Sequence, residues 1–191
     1  SKPPEGVLLV SDINDGYDFE TLSGQLRRLV PATARVEEIS RAQGDATTVK
    51  TGLLKALSRG PRLVNYAGHG SSDQWRGSLL TSSDAGALTN LQSLSLYFSM
   101  TCLNGFFQDP SLESLAEVLL KSRGGAIAVW ASSGMTEPSG QAAMDREAFK
   151  VIFDSMTLPS TRTGLPFVSG ISPAPIRHSL ADDSFFASGF C

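Results

Sequence analysis

Arg62-Leu-Val-Asn-Tyr-Ala67, followed at once by Gly68-His69-Gly70, is the stretch of this sequence that decides the fold. Its first six residues are mostly apolar and predict a short buried strand that ends at a histidine between two glycines. Residues 94–100 repeat the arrangement, as an apolar strand that ends at Thr101-Cys102. Strands without polar alternation are typical of a parallel sheet that is covered on both faces.

The rest of the chain up to residue 156 alternates between strands and helices. Further strands are predicted at 6–10, 34–39 and 126–131, and residues 75–90 suggest a hairpin excursion. Apolar residues at helical spacing predict helices that follow residue 18, Asp45 and Ser111, with Ser111 as an N-cap, and a last helix over 139–156. This order predicts an α/β fold of three layers, with a mostly parallel central sheet and helices on both faces.

The two ends of the sequence differ from this pattern. Residues 1–156 are predicted as one domain and 157–191 as a C-terminal tail or linker, because 13 of those last 35 residues are Ser, Pro or Gly. The opening Ser1-Lys2-Pro3-Pro4 lacks the apolar core of a signal peptide. We therefore expect the sequence to be a mature segment or an excised domain.

Composition excludes several function classes. The 191 residues include 16 Lys and Arg against 19 Asp and Glu, a net charge of −3 without a basic cluster, which argues against nucleic-acid binding. No apolar run approaches the roughly 20 residues that span a membrane. Two cysteines, Cys102 and Cys191, are too few for a disulfide framework, and with two histidines they do not form a structural zinc pattern. A bridge between the two cysteines is the less favoured alternative.

Two strand ends carry side chains with useful chemistry. Parallel strands expose their carboxyl ends at one edge of the sheet, so His69 and Cys102 are expected to emerge together. A thiol and an imidazole within reach of each other form a minimal cysteine-nucleophile pair. Flanking glycines let a backbone N–H approach a developing oxyanion. The alternative is that Cys102 is a packing residue, as most buried cysteines are.

These motifs resemble the gingipain-type cysteine peptidases, peptidase family C25 of the caspase-like clan. The resemblance rests on Asn65-Tyr-Ala-Gly-His-Gly-Ser71 and on Ser99-Met-Thr-Cys-Leu-Asn-Gly-Phe-Phe107. It extends to Trp75 and to residues 88–90, 114–120 and 125–132. It implies a caspase-like sheet and a cysteine endopeptidase that acts on polypeptides.

Carried over residue by residue, the resemblance implies a role for each position of the site. Cys102 is the nucleophile, His69 donates a proton to the leaving amine, and the N–H groups of Gly70 and Cys102 form the oxyanion hole. The segment after the fifth strand lines the substrate pocket. The substrate-binding candidates are Trp75, Trp130, Ser132 and Ser133.

Alternative functions and ligands remain open at this stage. One alternative is a CHAT-like caspase relative that is gated by a partner, and another is a catalytically silent caspase-like interaction module. We expect that no cofactor is required. The turn of Asp12, Asn14, Asp15 and Asp18 is rich in oxygen ligands, so a calcium site is an alternative there. The favoured interpretation of these residues is a strand-to-helix turn with an N-cap. The resemblance also implies a bacterial, secreted or cell-surface protein, with other domains of a larger secreted protein as partners.

Overall fold

The computed structural model describes residues 6–157. The described residues form five strands and five α-helices, together with single 3₁₀ turns at Arg41–Gln43 and Arg76–Ser78. In chain order these are β1 (Val7–Ser11), α1 (Phe19–Leu29), β2 (Val36–Ser40), α2 (Ala46–Ser58), β3 (Leu63–Ala67), α3 (Ser82–Gly86), β4 (Ser95–Met100), α4 (Leu115–Lys121), β5 (Ala126–Ala131) and α5 (Pro138–Thr157).

The five strands make one sheet in the order β2-β1-β3-β4-β5, and every neighbouring pair is parallel. The chain first adds β2 on one side of β1 and then returns to add β3 on the other side. The direction of winding therefore reverses between β1 and β3, and ligands of such sheets bind outside the carboxyl ends of the strands at that reversal. The predicted parallel sheet is confirmed.

Both faces of the sheet are buried. Leu8 and Val10 belong to an apolar cluster with the buried residues of α2, α3 and α4. Val7 and Leu9 belong to a second cluster with the buried residues of α1 and α5. Because side chains alternate along a strand, a continuous apolar run such as β1 fills both clusters at once. The three-layer architecture predicted from the sequence is confirmed.

Helix α4 begins three residues later than the sequence analysis expected, and the assignment of Ser111 as its N-cap is wrong. Ser114 is the N-cap, because its side chain accepts the Glu117 N–H while the Glu117 carboxylate accepts the Ser114 N–H. This reciprocal capping box requires Ser and Glu three residues apart. Ser111 has no acidic partner at that spacing, whereas Ser114 does.

The segment after β3 is more structured than a hairpin. It contains two isolated antiparallel bridges, Gly70–Trp75 and Gln74–Thr81, and then the short helix α3. Helix α3 begins at another capping box, formed by Thr81 and Asp84. The sequence analysis missed this helix because it presents a single buried residue, Ala85, and so carries no helical periodicity.

One sequence prediction falls outside the described residues. The proposed tail over 157–191, with Cys191, lies beyond the described residues apart from Thr157 at the end of α5. Among the helices of residues 6–157, none is long and apolar enough to cross a membrane.

Candidate active site

The pairing of β3 with β4 brings the two candidate motifs to one edge. Ala67 is the register partner of Met100, and the Gly68 N–H continues the ladder by donating to the Met100 carbonyl at 3.2 Å. His69 and Cys102 each follow two residues after a member of that pair. The expected juxtaposition of the two strand ends is confirmed.

The backbone of His69 is held at three points. Its N–H donates to Asp12 Oδ2 at 3.1 Å, and its carbonyl accepts the Tyr66 hydroxyl at 2.7 Å and the Arg76 N–H at 2.9 Å. Burial raises the pKa of Tyr66 well above its usual range, and the Asp12 carboxylate adds to the rise, so the hydroxyl stays protonated as a donor. The loop after β3 is therefore rigidly placed.

The His69 ring lies against an aromatic wall. It meets Phe19 edge-on, with 5.2 Å between the ring centroids. Its Nε2 atom is buried and has no hydrogen-bond partner among the described residues. A buried polar atom without a partner costs free energy, so such an atom is a functional candidate.

Asp12, at the end of β1, is a site residue that the sequence analysis did not assign to this role. It is fully buried, accepts Arg41 Nη1 at 2.7 Å and its neighbour Ile13 N–H at 2.8 Å, and also receives the His69 N–H. A buried carboxylate with a paired guanidinium and two amide donors is well satisfied. The position of Asp12 directly after a buried strand could have indicated a site residue. The neighbouring Asn14, Asp15 and Asp18 instead favoured its assignment to a turn.

The remaining oxygens of that turn point to separate structural partners. Asn14 accepts the Glu20 N–H, Asp15 pairs with Arg76, and Asp18 caps α1 through the Thr21 N–H. Within residues 6–157 no group of three or more His, Cys, Asp or Glu side chains is arranged to hold a metal ion. The strand-to-helix turn with an N-cap is the interpretation that the structure supports for Asp18.

Cys102 is 1% exposed, and its sulfur is in a disulfide bond. The favoured expectation that Cys102 is unbridged is therefore wrong, and its side chain is buried. The sulfur also accepts the Thr136 N–H at 3.2 Å, with the Thr136 hydroxyl oxygen 3.5 Å away. A nucleophilic role for Cys102 therefore requires reduction and access for substrate.

The turn after Cys102 is tight and internally fixed. Leu103 has a φ of 61°, in the left-handed region that non-glycine residues rarely adopt. The buried Asn104 side chain donates to the Ser71 carbonyl at 2.6 Å, so it ties this turn to the loop that follows His69. Such strain persists only where surrounding contacts hold it, and it concentrates at functional sites.

The candidate oxyanion-hole residue Gly70 lies where the two loops meet. A Cβ at this position would come within 2.7 Å of Thr101 Oγ1 and 2.9 Å of the Gln74 carbonyl. In the Gly70–Trp75 bridge the hydrogen bonds are made by the neighbouring Ser71 and Arg76 N–H groups. This pairing leaves the Gly70 N–H unused.

The four substrate-binding candidates are dispersed. Trp75 is fully buried and stacks on Tyr66 with ring centroids 4.1 Å apart, so it presents no surface to a ligand in this conformation. Trp130 is 55% exposed at the edge strand β5. Ser133 is exposed, and Ser132 forms a local turn by donating to the Gly134 carbonyl. The structure brings Ser132 close to the nucleophile turn, because the Gly105 N–H donates to its carbonyl at 2.8 Å.

A parallel sheet between two layers of helices, with a His-Gly loop and a Cys turn after adjacent strands, defines a caspase-like α/β domain. The chain belongs to peptidase family C25, whose sequence profile matches residues 4–170.

Known relatives carry the gingipain name. Gingipain R2 and gingipain R1 from Porphyromonas gingivalis are each 34% identical to this chain over 86 residues. The aligned residues cover 42% of this chain, 12% of gingipain R2 and 9% of gingipain R1. The crystal structure of the Arg-specific cysteine proteinase gingipain R has a TM-score of 0.68 at 21% identity, and covers 78% of this chain and 37% of its own.

A second solved structure shares the fold. The complex of P. gingivalis gingipain pro- and mature domains has a TM-score of 0.64 at 19% identity, and covers 77% of this chain and 37% of that one. The matched region thus spans about a tenth of the curated relatives and little more than a third of the solved chains.

Proposed function

We propose that this chain carries the catalytic centre of a cysteine endopeptidase, with Cys102 as nucleophile and His69 as the proton donor. The observation that supports the proposal is the β3–β4 register, in which Ala67 pairs with Met100, two residues before His69 and Cys102. Membership of peptidase family C25 supports the same reaction class. Polypeptides are the proposed substrates.

In the proposed reaction the reduced Cys102 thiolate attacks the carbonyl carbon of the scissile peptide bond. A C–S bond forms, and the carbonyl electron pair moves to oxygen, where the N–H groups of Gly70 and Cys102 are proposed to donate to it. The intermediate collapses as the C–N bond breaks, and His69 gives a proton to the leaving amine. Water then attacks the thioester while the now neutral His69 accepts a proton from it. The C–S bond breaks, which returns the acid product, the Cys102 thiolate and the protonated His69.

The roles of the surrounding residues follow from their contacts. Asp12 accepts the His69 N–H and Tyr66 donates to the His69 carbonyl, so the peptide groups before and after His69 are both held in place. The unpaired, buried Nε2 atom is the ring nitrogen that we assign to proton transfer. Trp130, Ser132 and Ser133 remain the proposed substrate contacts.

A second candidate function is a silent or partner-gated caspase-like module. The burial and disulfide of Cys102 favour it, because an occluded and oxidised sulfur cannot attack a peptide. The two candidates differ in one property. A catalytic Cys102 alkylates quickly near neutral pH once it is reduced, whereas a packing cysteine does not.

A positional peptide library with mass-spectrometric readout tests the proposal. The chain is assayed under reducing conditions, with and without millimolar calcium, so that one experiment covers activity, preference at the cleaved bond and metal dependence. We expect cleavage by the parent chain and by Cys191→Ala, and none by Cys102→Ala. We also expect His69→Ala to lower turnover by roughly a hundredfold or more while Cys102 still alkylates.

The matched cysteine variants make the result decisive. Equal cleavage by Cys102→Ala and the parent would end the peptidase assignment to this residue. Absence of cleavage, together with slow alkylation of reduced Cys102, would favour the silent module. Cleavage that appears only after a binding partner is added would favour the gated relative. A secreted or cell-surface localisation is likewise proposed from family membership alone.

A further inference from the structure

Three atoms of Thr136 lie close to the Cys102 sulfur: an N–H that donates to it, a hydroxyl that can donate or accept, and the carbonyl oxygen at 3.6 Å. The Thr136 N–H points at Sγ across 3.2 Å, and the Thr136 hydroxyl oxygen lies 3.5 Å from the same atom. The two residues are 34 positions apart in sequence. A sulfur that accepts hydrogen bonds favours its ionised form, because donors stabilise negative charge.

The segments before and after Thr136 are hydrogen-bonded to residues on both sides of Cys102. These bonds restrain the position of Thr136 relative to the sulfur. On one side, the Leu103 N–H donates to the Gly134 carbonyl at 3.2 Å, and the Gly105 N–H donates to the Ser132 carbonyl at 2.8 Å. On the other side, the buried Gln141 amide donates to the Thr101 carbonyl at 2.9 Å. Two hydrogen bonds thus join the loop over residues 132–137 to the turn after Cys102, and a third joins the first turn of α5 to Thr101.

The amino end of α5 lies immediately after Thr136. The helix begins at Pro138, and the Gln141 N–H donates to the Glu137 carbonyl at the start of the helical hydrogen-bond ladder. Proline suits a first helical position because its missing N–H would have no partner there. A helix of 20 residues presents partial positive charge at this end, which adds to the stabilisation of a nearby thiolate.

We propose that Thr136 is a positioning residue that stabilises the reduced Cys102 thiolate through its N–H and its hydroxyl. The inference rests on the proposed function in taking Cys102 as the nucleophile, and it adds a specific residue to that site. It assigns the loop after β5 the task of raising the thiolate fraction near neutral pH. As Sγ bonds to the substrate carbon, the negative charge leaves the sulfur and these hydrogen bonds weaken.

The test is the pH profile of alkylation at Cys102 in the reduced full chain, with iodoacetamide as the probe. The tryptic peptide over 77–121 contains Cys102 and excludes Cys191, so mass spectrometry follows the one thiol. Thr136→Val removes the hydroxyl and retains the branched shape. We expect its alkylation midpoint to rise by about one pH unit, which is about a tenfold smaller thiolate fraction at pH values well below the midpoint.

Three further variants make the result specific. Thr136→Ser retains the hydroxyl and should restore the parent midpoint, and Thr136→Ala should repeat the shift if the valine variant does not fold. Thr51→Val removes an exposed hydroxyl on α2 that donates to the Thr47 carbonyl, and should leave the midpoint unchanged. An unchanged midpoint in folded Thr136→Val, or an equal shift in Thr136→Ser, would overturn the inference.

The experiment separates this inference from the peptidase assignment. Alkylation requires no peptide, so a Thr136-dependent midpoint would stand even if the library remained uncut. Conversely, library cleavage by a protein whose midpoint ignores Thr136 would retain the peptidase and remove the role of Thr136.

Discussion

At the scale of the residue, Gly70 shows how closely the two site loops approach each other. Thr101 Oγ1 and the Gln74 carbonyl leave no room for a methyl group there. We expect Gly70→Ala to lower the free energy of unfolding by roughly 1–3 kcal/mol, because the loop must shift to relieve the contact. Urea denaturation measures the change.

Gly52→Ala is the matched control for that prediction. Gly52 lies inside α2, and nothing is within 4 Å of the Cβ that the substitution adds. Alanine is favoured over glycine in a helix interior by about 0.5–1 kcal/mol, so this variant should gain stability. A loss of the same size in both variants would show that close approach is not the reason for glycine at position 70.

At the scale of the element, α4 supports the site through its first turn. The Leu115 N–H donates to the Ser72 carbonyl at 2.7 Å, and the Ala116 N–H donates to the Asn104 carbonyl at 2.9 Å. One helix end therefore contacts both the loop after His69 and the turn after Cys102. The capping box at Ser114 fixes where that end begins.

Removal of the cap should be measurable. We expect Ser114→Ala to lower the free energy of unfolding by about 1 kcal/mol, since the Glu117 N–H and the Ser114 N–H lose their reciprocal arrangement. Ser111→Ala, at an exposed position outside the helix, should change it by less than about 0.5 kcal/mol. Thermal or urea unfolding of both variants compares them. A larger loss in Ser111→Ala would reverse the assignment of the helix start.

At the scale of the whole molecule, one buried polar pair joins α5 to the middle of the sheet. Asp145 is fully buried, and both of its carboxylate oxygens accept from the Asn65 side-chain nitrogen, at 2.8 and 2.7 Å. Burial raises the pKa of Asp145 to about 7, although the Asn65 hydrogen bonds and the charge of Arg146 oppose the rise. The protonation state of Asp145 therefore affects the packing of α5 against the sheet.

This pKa predicts how stability depends on pH. In the unfolded chain Asp145 ionises near its usual value of 3.8, so between about pH 4 and pH 7 the folded state binds more protons. The contribution of Asp145 to stability therefore falls as pH rises through this window. From pH 5 to pH 8 we expect it to fall by about 2–3 kcal/mol.

Asp145→Asn isolates the effect. The variant should lose this part of the pH dependence, whatever its absolute stability, in urea titrations at several pH values. Groups that are common to both proteins cancel in the difference between the two curves. Parallel curves for the parent and the variant would exclude a raised pKa at Asp145.

Much of the fold was predictable because it is encoded locally. Apolar runs predicted the five strands, the spacing of apolar residues predicted α1, α2 and α5, and their alternation predicted a parallel sheet. The parallel rule then placed His69 and Cys102 at one edge, since the carboxyl ends of such strands share an edge. The capping box of α4 is also encoded locally, because Ser114 has a glutamate three residues later and Ser111 does not.

The sequence by itself thus determined the layers, the strand ends and the two chemical groups at the site, because periodicity and strand order are properties of neighbouring residues. Only the tertiary structure decided which distant groups meet there: Asp12 with His69 across 57 positions, Asn65 with Asp145 across 80, and Thr136 with Cys102 across 34. It also decided that Trp75 is buried. Such contacts depend on sheet register and on the path of each loop, and no local pattern encodes either.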